Sequence, residues 1–240
     1  MKSFSITDTG RVRNNNQDCV LCEENAVGCF PNLFIVADGM GGHNAGDTAS
    51  KMCVRVVSEQ ISISEKRTPV GVFEEAVMVA NQQIHRSANE NVDYAGMGTT
   101  MVATTIFENV AYVVNVGDSR LYQYSGELKQ ITVDHSLVEE MVQSGELRKD
   151  EMRTHPNKNI ITRALGTDTS VRPDCFEIGV KQGDVLLLCS DGLSNMLEDE
   201  AMEEVLKKNG DDLEQAARTL VDQANEAGGK DNISVVLISI

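Results

Sequence analysis

The order in which strand-like and helix-like runs follow one another constrains this chain most, because it is not a regular β-α-β alternation. Runs rich in Val, Ile, Leu or Thr, bounded by Gly, Asp, Asn or Ser, cover Leu33–Ala37, Thr99–Phe107, Val110–Val116, Leu121–Tyr124, Asp184–Cys189 and Ile233–Ile240. Helical spacing covers Ala45–Gln60, Pro69–Asn89, Ser136–Ser144, Glu198–Lys207 and Asp211–Ala227. Phe73, Ala76, Val77, Ala80 and Ile84 form one apolar stripe; Leu213, Ala216, Ala217, Leu220, Val221 and Ala224 form another. Asp211 or Asp212 caps the last helix and Gly228-Gly229 ends it. The helices fall into two groups with a long run of strands between them. That order predicts an α+β domain in which antiparallel sheet is covered by helices on its outside. Gly117-Asp118-Ser119-Arg120 and Ser125-Gly126-Glu127 read as hairpin turns.

No linker or repeat divides the sequence, so residues 1–240 are expected to form a single domain. The stretch from about 135 to 160 is polar, charged and short-helical, and reads as a mobile flap subdomain between two strands. With Trp absent and aromatics at 4%, the core must rest on Val, Ile, Leu, Met and Ala. A net charge of -16 disfavours nucleic acid and anionic lipid as partners, and any phosphate site would need strong local positive charge. The chain opens without an apolar leader and contains no run long enough to span a bilayer, which predicts a cytoplasmic protein. Its six cysteines are accordingly expected as reduced thiols, with Cys19 and Cys22 on the two faces of a strand rather than in a metal site.

Carboxylates recur where apolar strands end. Leu33–Ala37 runs into Asp38-Gly39, Val110–Val116 into Gly117-Asp118, and Asp184–Cys189 into Ser190-Asp191-Gly192. Gly228-Gly229-Lys230-Asp231-Asn232 leads into the last strand. A single Asp-Gly is most simply a turn. Several such groups that converged would repel one another severely unless cations lay between them. Oxygen donors without a matching His/Cys cluster favour Mg²⁺ or Mn²⁺ over Zn²⁺. The N-terminal segment Thr7–Asp18 adds Arg13, whose planar fork suits phosphate oxygens.

Taken in order, Arg13-x-x-Asn16-Gln17-Asp18, Asp38-Gly39-Met40-Gly41-Gly42-His43, Gly98-Thr99-Thr100, Gly117-Asp118-Ser119-Arg120, Ile161–Gly166, Ser190-Asp191-Gly192 and Gly229-Lys230-Asp231-Asn232 resemble the metal-dependent (type 2C) serine/threonine protein phosphatases, in their compact bacterial branch. The resemblance spans essentially the whole chain. It implies a four-layer αββα sandwich with two antiparallel sheets, and a site for two Mn²⁺ or Mg²⁺ ions. By that resemblance Asp38 bridges the ions and holds the nucleophilic water, the Gly39 carbonyl ligates one ion, and Asp191 and Asp231 complete the other. Asp118 matches a third, weaker metal position, Gln17 and Asp18 stand behind the metals, and Arg13 matches the phosphate-binding arginine. The implied reaction is in-line attack of the bridging water on a phosphoserine or phosphothreonine, without a phosphoenzyme.

Two positions depart from the pattern. Gln17 stands where many members carry Glu, and Met40 where some carry a His acid, which leaves His43 as the nearby candidate acid. The implied partners are phosphorylated proteins, among them a serine/threonine kinase of the same cell, and the enzyme is expected to be a monomer. Two other readings stay open: a non-catalytic binding module on the same fold, which the intact Asp38, Asp191 and Asp231 oppose, and an enzyme for other phosphate esters.

Overall fold

Burial on both sides of the central strands dictates how the layers stack. The computed structural model describes residues 1–42, 45–209 and 212–240. Strand β3 (Leu33–Met40) follows β1 (Lys2–Asp8) and β2 (Asp18–Glu23) and is buried on both faces. Phe34 and Val36 enter one apolar cluster while Leu33, Ile35 and Ala37 enter another. The second cluster is completed by helices α1 (Ala45–Ile63) and α2 (Pro69–Glu90), through residues such as Cys53, Val57, Phe73, Val77 and Ile84. Thus α1 and α2 cover the outside of one sheet.

That sheet has strand order β2-β3-β5-β6-β9, with β5 Met101–Phe107, β6 Val110–Val116 and β9 Asp174–Gly179; the two-residue β4 (Gly98–Thr99) pairs with β3. The other sheet has order β1-β11-β10-β7-β8, with β7 Arg120–Tyr124, β8 Leu128–Gln130, β10 Val185–Cys189 and β11 Ile233–Ser239. All the strand pairs are antiparallel. Leu186, Leu188, Val236 and Ile238 meet Phe34, Val36 and Val102 between the sheets. Their neighbours Leu187, Cys189, Val235 and Leu237 face outward against α5 (Asp199–Asn209) and α6 (Leu213–Glu226). The αββα sandwich follows from this alternation, since a strand buried on both faces needs a partner layer on each. Asp212 caps α6 by accepting the Gln215 N–H; Asp211, the other candidate, lies outside the described residues.

Helical stripes and central strands lie where the spacing predicts them, whereas the edge strands β1, β8 and β9 fall outside the predicted runs. Each is half-exposed, so it carries no continuous apolar run to betray it. Cys19 and Cys22 do occupy opposite faces of β2, one packed toward the α1/α2 cluster and one toward the space between sheets, and the described cysteines are free. The turn at Gly117–Arg120 is a correction. It is not a hairpin: β6 and β7 belong to different sheets, and the chain crosses between them there. Gly117 makes the crossing with φ +108, and a Cβ on it would lie 2.5 Å from the Thr100 Cβ. Ser125–Glu127, by contrast, does close the β7–β8 hairpin.

Between β8 and β9 the chain leaves the sandwich to form α3 (Leu137–Gln143), capped by Ser136, and a 3-10 turn at Lys149–Thr154. The excursion is closed at its base, where the Leu137 N–H donates to the Ile160 carbonyl at 2.8 Å. Among the described residues no helix is long and apolar enough to cross a membrane.

Candidate metal centre

The two sheets present their strand ends together at one end of the sandwich, and this gathers the carboxylates. Asp38 lies in the last turn of pairing of β3, not beyond it, directly across from Asp18 of β2. Its backbone is pinned on both sides: Asp38 N–H donates to Thr100 Oγ1 at 3.1 Å, and its carbonyl accepts from Thr99 Oγ1 and Thr100 N–H. Thr100 Oγ1 in turn shares a hydrogen bond with Ser119 Oγ, tying Asp38 to the loop that carries Asp118. Asp191 opens the short helix α4 (Asp191–Ser194) at the end of β10, and Asp231 precedes β11. Two carboxylates therefore come from or near each sheet's end.

Close backbone packing sets the Asp38-Gly39 corner. A Cβ on Gly39 would fall 2.0 Å from the Gly46 carbonyl oxygen in the first turn of α1. Only glycines at both positions let the helix start come this near. The Gly39 N–H donates to the Gln17 carbonyl, which also accepts from Ser50 Oγ at 2.6 Å.

Asn232 assembles the loop that carries Arg13. Its Nδ2 donates to the carbonyls of Thr9 at 2.9 Å and Asn15 at 3.0 Å, while its Oδ1 accepts the Gln17 N–H at 2.8 Å. One amide thereby holds three points of the segment around Arg13. The Arg13 guanidinium reaches over the rim and donates to Asp231 Oδ2 at 2.7 Å, with about half of its side chain exposed.

The electrostatics of the cluster are unfavourable by themselves. Asp38, Asp118 and Asp191 each keep some open surface, yet the protein packed around them is dense. Burial, followed by the charges of Asp18, Asp191, Asp118 and Asp231, pushes the Asp38 carboxyl well above its ordinary range. Asp118 is raised in the same way, by burial and then by Asp191 and Asp134. Burial and Asp231 push Asp191 up to about 6, a rise softened by a hydrogen bond with Asp38. Asp18 is pushed up to about 7 by burial, although the hydroxyls of Ser190 and Ser234 both donate to its Oδ2. Buried Asp18 Oδ1 and Asp191 Oδ1 have no hydrogen-bond donor.

This donor set fits hard divalent cations. All its members are oxygens, their mutual repulsion is relieved by positive charge, and two buried acceptor atoms lack a proton donor. Among the described residues no three acidic, His or Cys side chains converge tightly enough to hold an ion unaided.

The structure thus brings Asp38, Asp118, Asp191, Asp231, Arg13, Gln17 and Asp18 to one end of the sandwich, with Gly39 beside them. His43 lies outside the described residues. Reasoning from sequence missed Ser190 and Ser234 as partners of Asp18, and gave Thr100 and Asn232 no role. Thr100 and Asn232 fell inside quoted motifs, so a signal existed; Ser234 is an ordinary strand serine with none.

Four likenesses to known proteins bear on this geometry. The family model described as protein phosphatase 2C matches residues 11–237. The protein phosphatase PhpP of Streptococcus pneumoniae is 40% identical over 100% of this chain and 98% of its own length. The crystal structure of the serine/threonine phosphatase Stp1 from Staphylococcus aureus superposes with a TM-score of 0.92 at 35% identity, covering 100% of this chain and 94% of that one. The catalytic domain of the serine/threonine protein phosphatase PstP, solved with two manganese ions, gives a TM-score of 0.84 at 33% identity, covering 98% and 96%.

Proposed function

This chain belongs to the protein phosphatase 2C family, and from that premise we propose that it removes phosphate from phosphoserine and phosphothreonine in proteins with the help of two Mn²⁺ or Mg²⁺ ions. The observation that carries the reading is the cluster of raised, mutually repelling carboxylates with two donorless buried oxygens at one end of the sandwich. In this reading Asp38, the Gly39 carbonyl, Asp191 and Asp231 hold the pair of ions, and Asp118 with Asp191 holds a weaker third. When bound, such ions supply an activated water as nucleophile and positive charge against the phosphoryl oxygens.

The remaining work belongs to the chain itself. Asp18, saturated on one oxygen by Ser190 and Ser234 and facing Asp38 across the β2–β3 pair, fixes the orientation and charge behind Asp38. Arg13 swings between Asp231 and a phosphoryl group, and its forked N–H donors orient that group for in-line attack. Asn232 sets the loop from which Arg13 reaches. The excursion at about 135–160 serves as a flap over the site of an otherwise single-domain, monomeric cytoplasmic enzyme. Its substrates are phosphorylated proteins, a partner serine/threonine kinase among them.

Hydrolysis of an aryl phosphate and of a phosphothreonine peptide, each with Mn²⁺, Mg²⁺ or EDTA, tests the proposal. Turnover that needs metal supports it. A protein that stays folded but turns over neither compound with metal present would point to the binding-module alternative instead.

A further inference from the structure

A narrow cleft separates the excursion from the carboxylates, lined by Asp118, Asp191, Ser136, Arg153, Lys158 and Asn195. Of the three cations that line it, Arg120 is paired with Asp134, and the other two differ in how they are engaged. Arg153 is committed to anchoring the excursion: its guanidinium donates to the carbonyls of Ser194 and Leu197 and pairs with Glu198 at 2.9 Å. Lys158 is half-buried in the cleft, and among the described residues its ammonium forms no ion pair. The surrounding stretch is locally basic. From Arg148 to Arg163 there are five Lys or Arg residues against two carboxylates, in a chain with net charge -16. Arg148 and Arg163 are occupied by Asp150 and Asp174 respectively.

We propose that Lys158 is a specificity-determining residue that favours phosphopeptides carrying an Asp or Glu close to the phosphorylated residue. The inference rests on the phosphatase reading above. With cations held by Asp118 and Asp191, and with Asp134 already paired to Arg120, Lys158 supplies the uncompensated charge of the cleft. An acidic side chain of the substrate is what this charge would attract as the chain lies between the excursion and the site. A basic side chain would be repelled there, which gives discrimination through an unfavourable contact as well as a favourable one.

The test compares kcat/KM on two phosphothreonine peptides that differ only in acidic or neutral residues flanking the phosphothreonine, with Mn²⁺ present. The unaltered enzyme should prefer the acidic peptide by roughly 3- to 10-fold at low salt, and the preference should shrink as ionic strength rises. Lys158→Gln should erase the preference and Lys158→Glu should invert it. Because each ratio is taken on one protein, a general loss of turnover in a variant cancels. Equal use of the two peptides by the unaltered enzyme, or an unchanged ratio in both variants, overturns the inference. Turnover of an aryl phosphate by the unaltered enzyme separates the two levels: its presence leaves the phosphatase reading standing, and its absence overturns both.

Discussion

Two groups of buried charges lie side by side at one end of this sandwich, and they are built on opposite rules. Around Arg120, every charge finds its partner. The guanidinium grips both oxygens of Asp134 at 2.7–3.1 Å and donates to the Tyr122 hydroxyl, which donates on to Asp199. Gln130 adds a further donor to Asp134. A few residues away, Asp38, Asp118 and Asp191 crowd together with their pKa values raised by burial and neighbouring carboxylates, and buried oxygens of Asp191 and of Asp18 behind them have no donor. The same stretch of chain, Asp118 to Arg120, serves both. A chain able to saturate one cluster so fully leaves the other unsaturated, at the place where the proposed reaction would take up its cations.

The sharpest way to break this contrast is to remove a member of the unsaturated cluster. Asp191→Ala should lower kcat/KM with Mn²⁺ by roughly 1,000-fold, since the charge stabilisation that a catalytic metal provides is worth several kcal/mol. Thermal melting of the metal-free variant should be unchanged or raised, because one repelling carboxylate is gone. A loss of turnover accompanied by a large loss of stability would make Asp191 a structural residue instead.

The saturated cluster should respond the other way. Arg120→Ala leaves Asp134 buried and unpaired, and is expected to destabilise the fold by about 3 kcal/mol in chemical denaturation. If that variant unfolded at the parent's denaturant concentration, the distinction between the two clusters would fail.

At the boundary between them and solvent sits Arg13. Arg13→Ala should raise KM for a phosphopeptide about 10-fold with a smaller effect on kcat, as expected when a charge-assisted contact to bound substrate is lost. Asn232→Ala should move KM in the same direction, because it releases three tethers of the loop that carries Arg13.

The smallest effect is a pH dependence, and its sign is distinctive. Asp191 and Asp18 titrate near 6 and 7 in the folded protein, both above the ordinary 3.8. Between pH 4 and 7 the folded state therefore holds more protons than the unfolded state, so raising the pH across that window costs stability. Metal-free protein should melt a few degrees lower at pH 7.5 than at pH 5.5, and saturating Mn²⁺ should remove or reverse the difference. Asp191→Asn should flatten the metal-free profile.

How much of this was legible in the sequence follows the physics of each part. Doubly buried strands such as Leu33–Ala37 and Val110–Val116 announce themselves as apolar runs, and the amphipathic α2 and α6 by their stripes. Edge strands with one wet face, such as β9, carry no comparable run. The crossing at Gly117 is not legible locally, because a Gly-Asp turn looks alike whether it joins neighbours in one sheet or links two sheets; only long-range pairing decides. The carboxylates could be singled out from their repeated place beside strand ends. Their supports are legible only in part: Ser190 and Thr100 fall inside quoted motifs but take their roles from tertiary contacts, and Ser234 leaves no local pattern at all.

The central claim is that the unsaturated cluster exists to hold divalent ions for hydrolysis. Calorimetric titration of Mn²⁺ into the metal-free protein and into Asp38→Asn, with phosphothreonine release measured on the same samples, tests it most directly. The account predicts that the parent binds at least two ions and becomes active as they bind, and that the folded variant loses both the tight binding and the turnover. A variant that kept full turnover, or a parent equally active in EDTA, would contradict it.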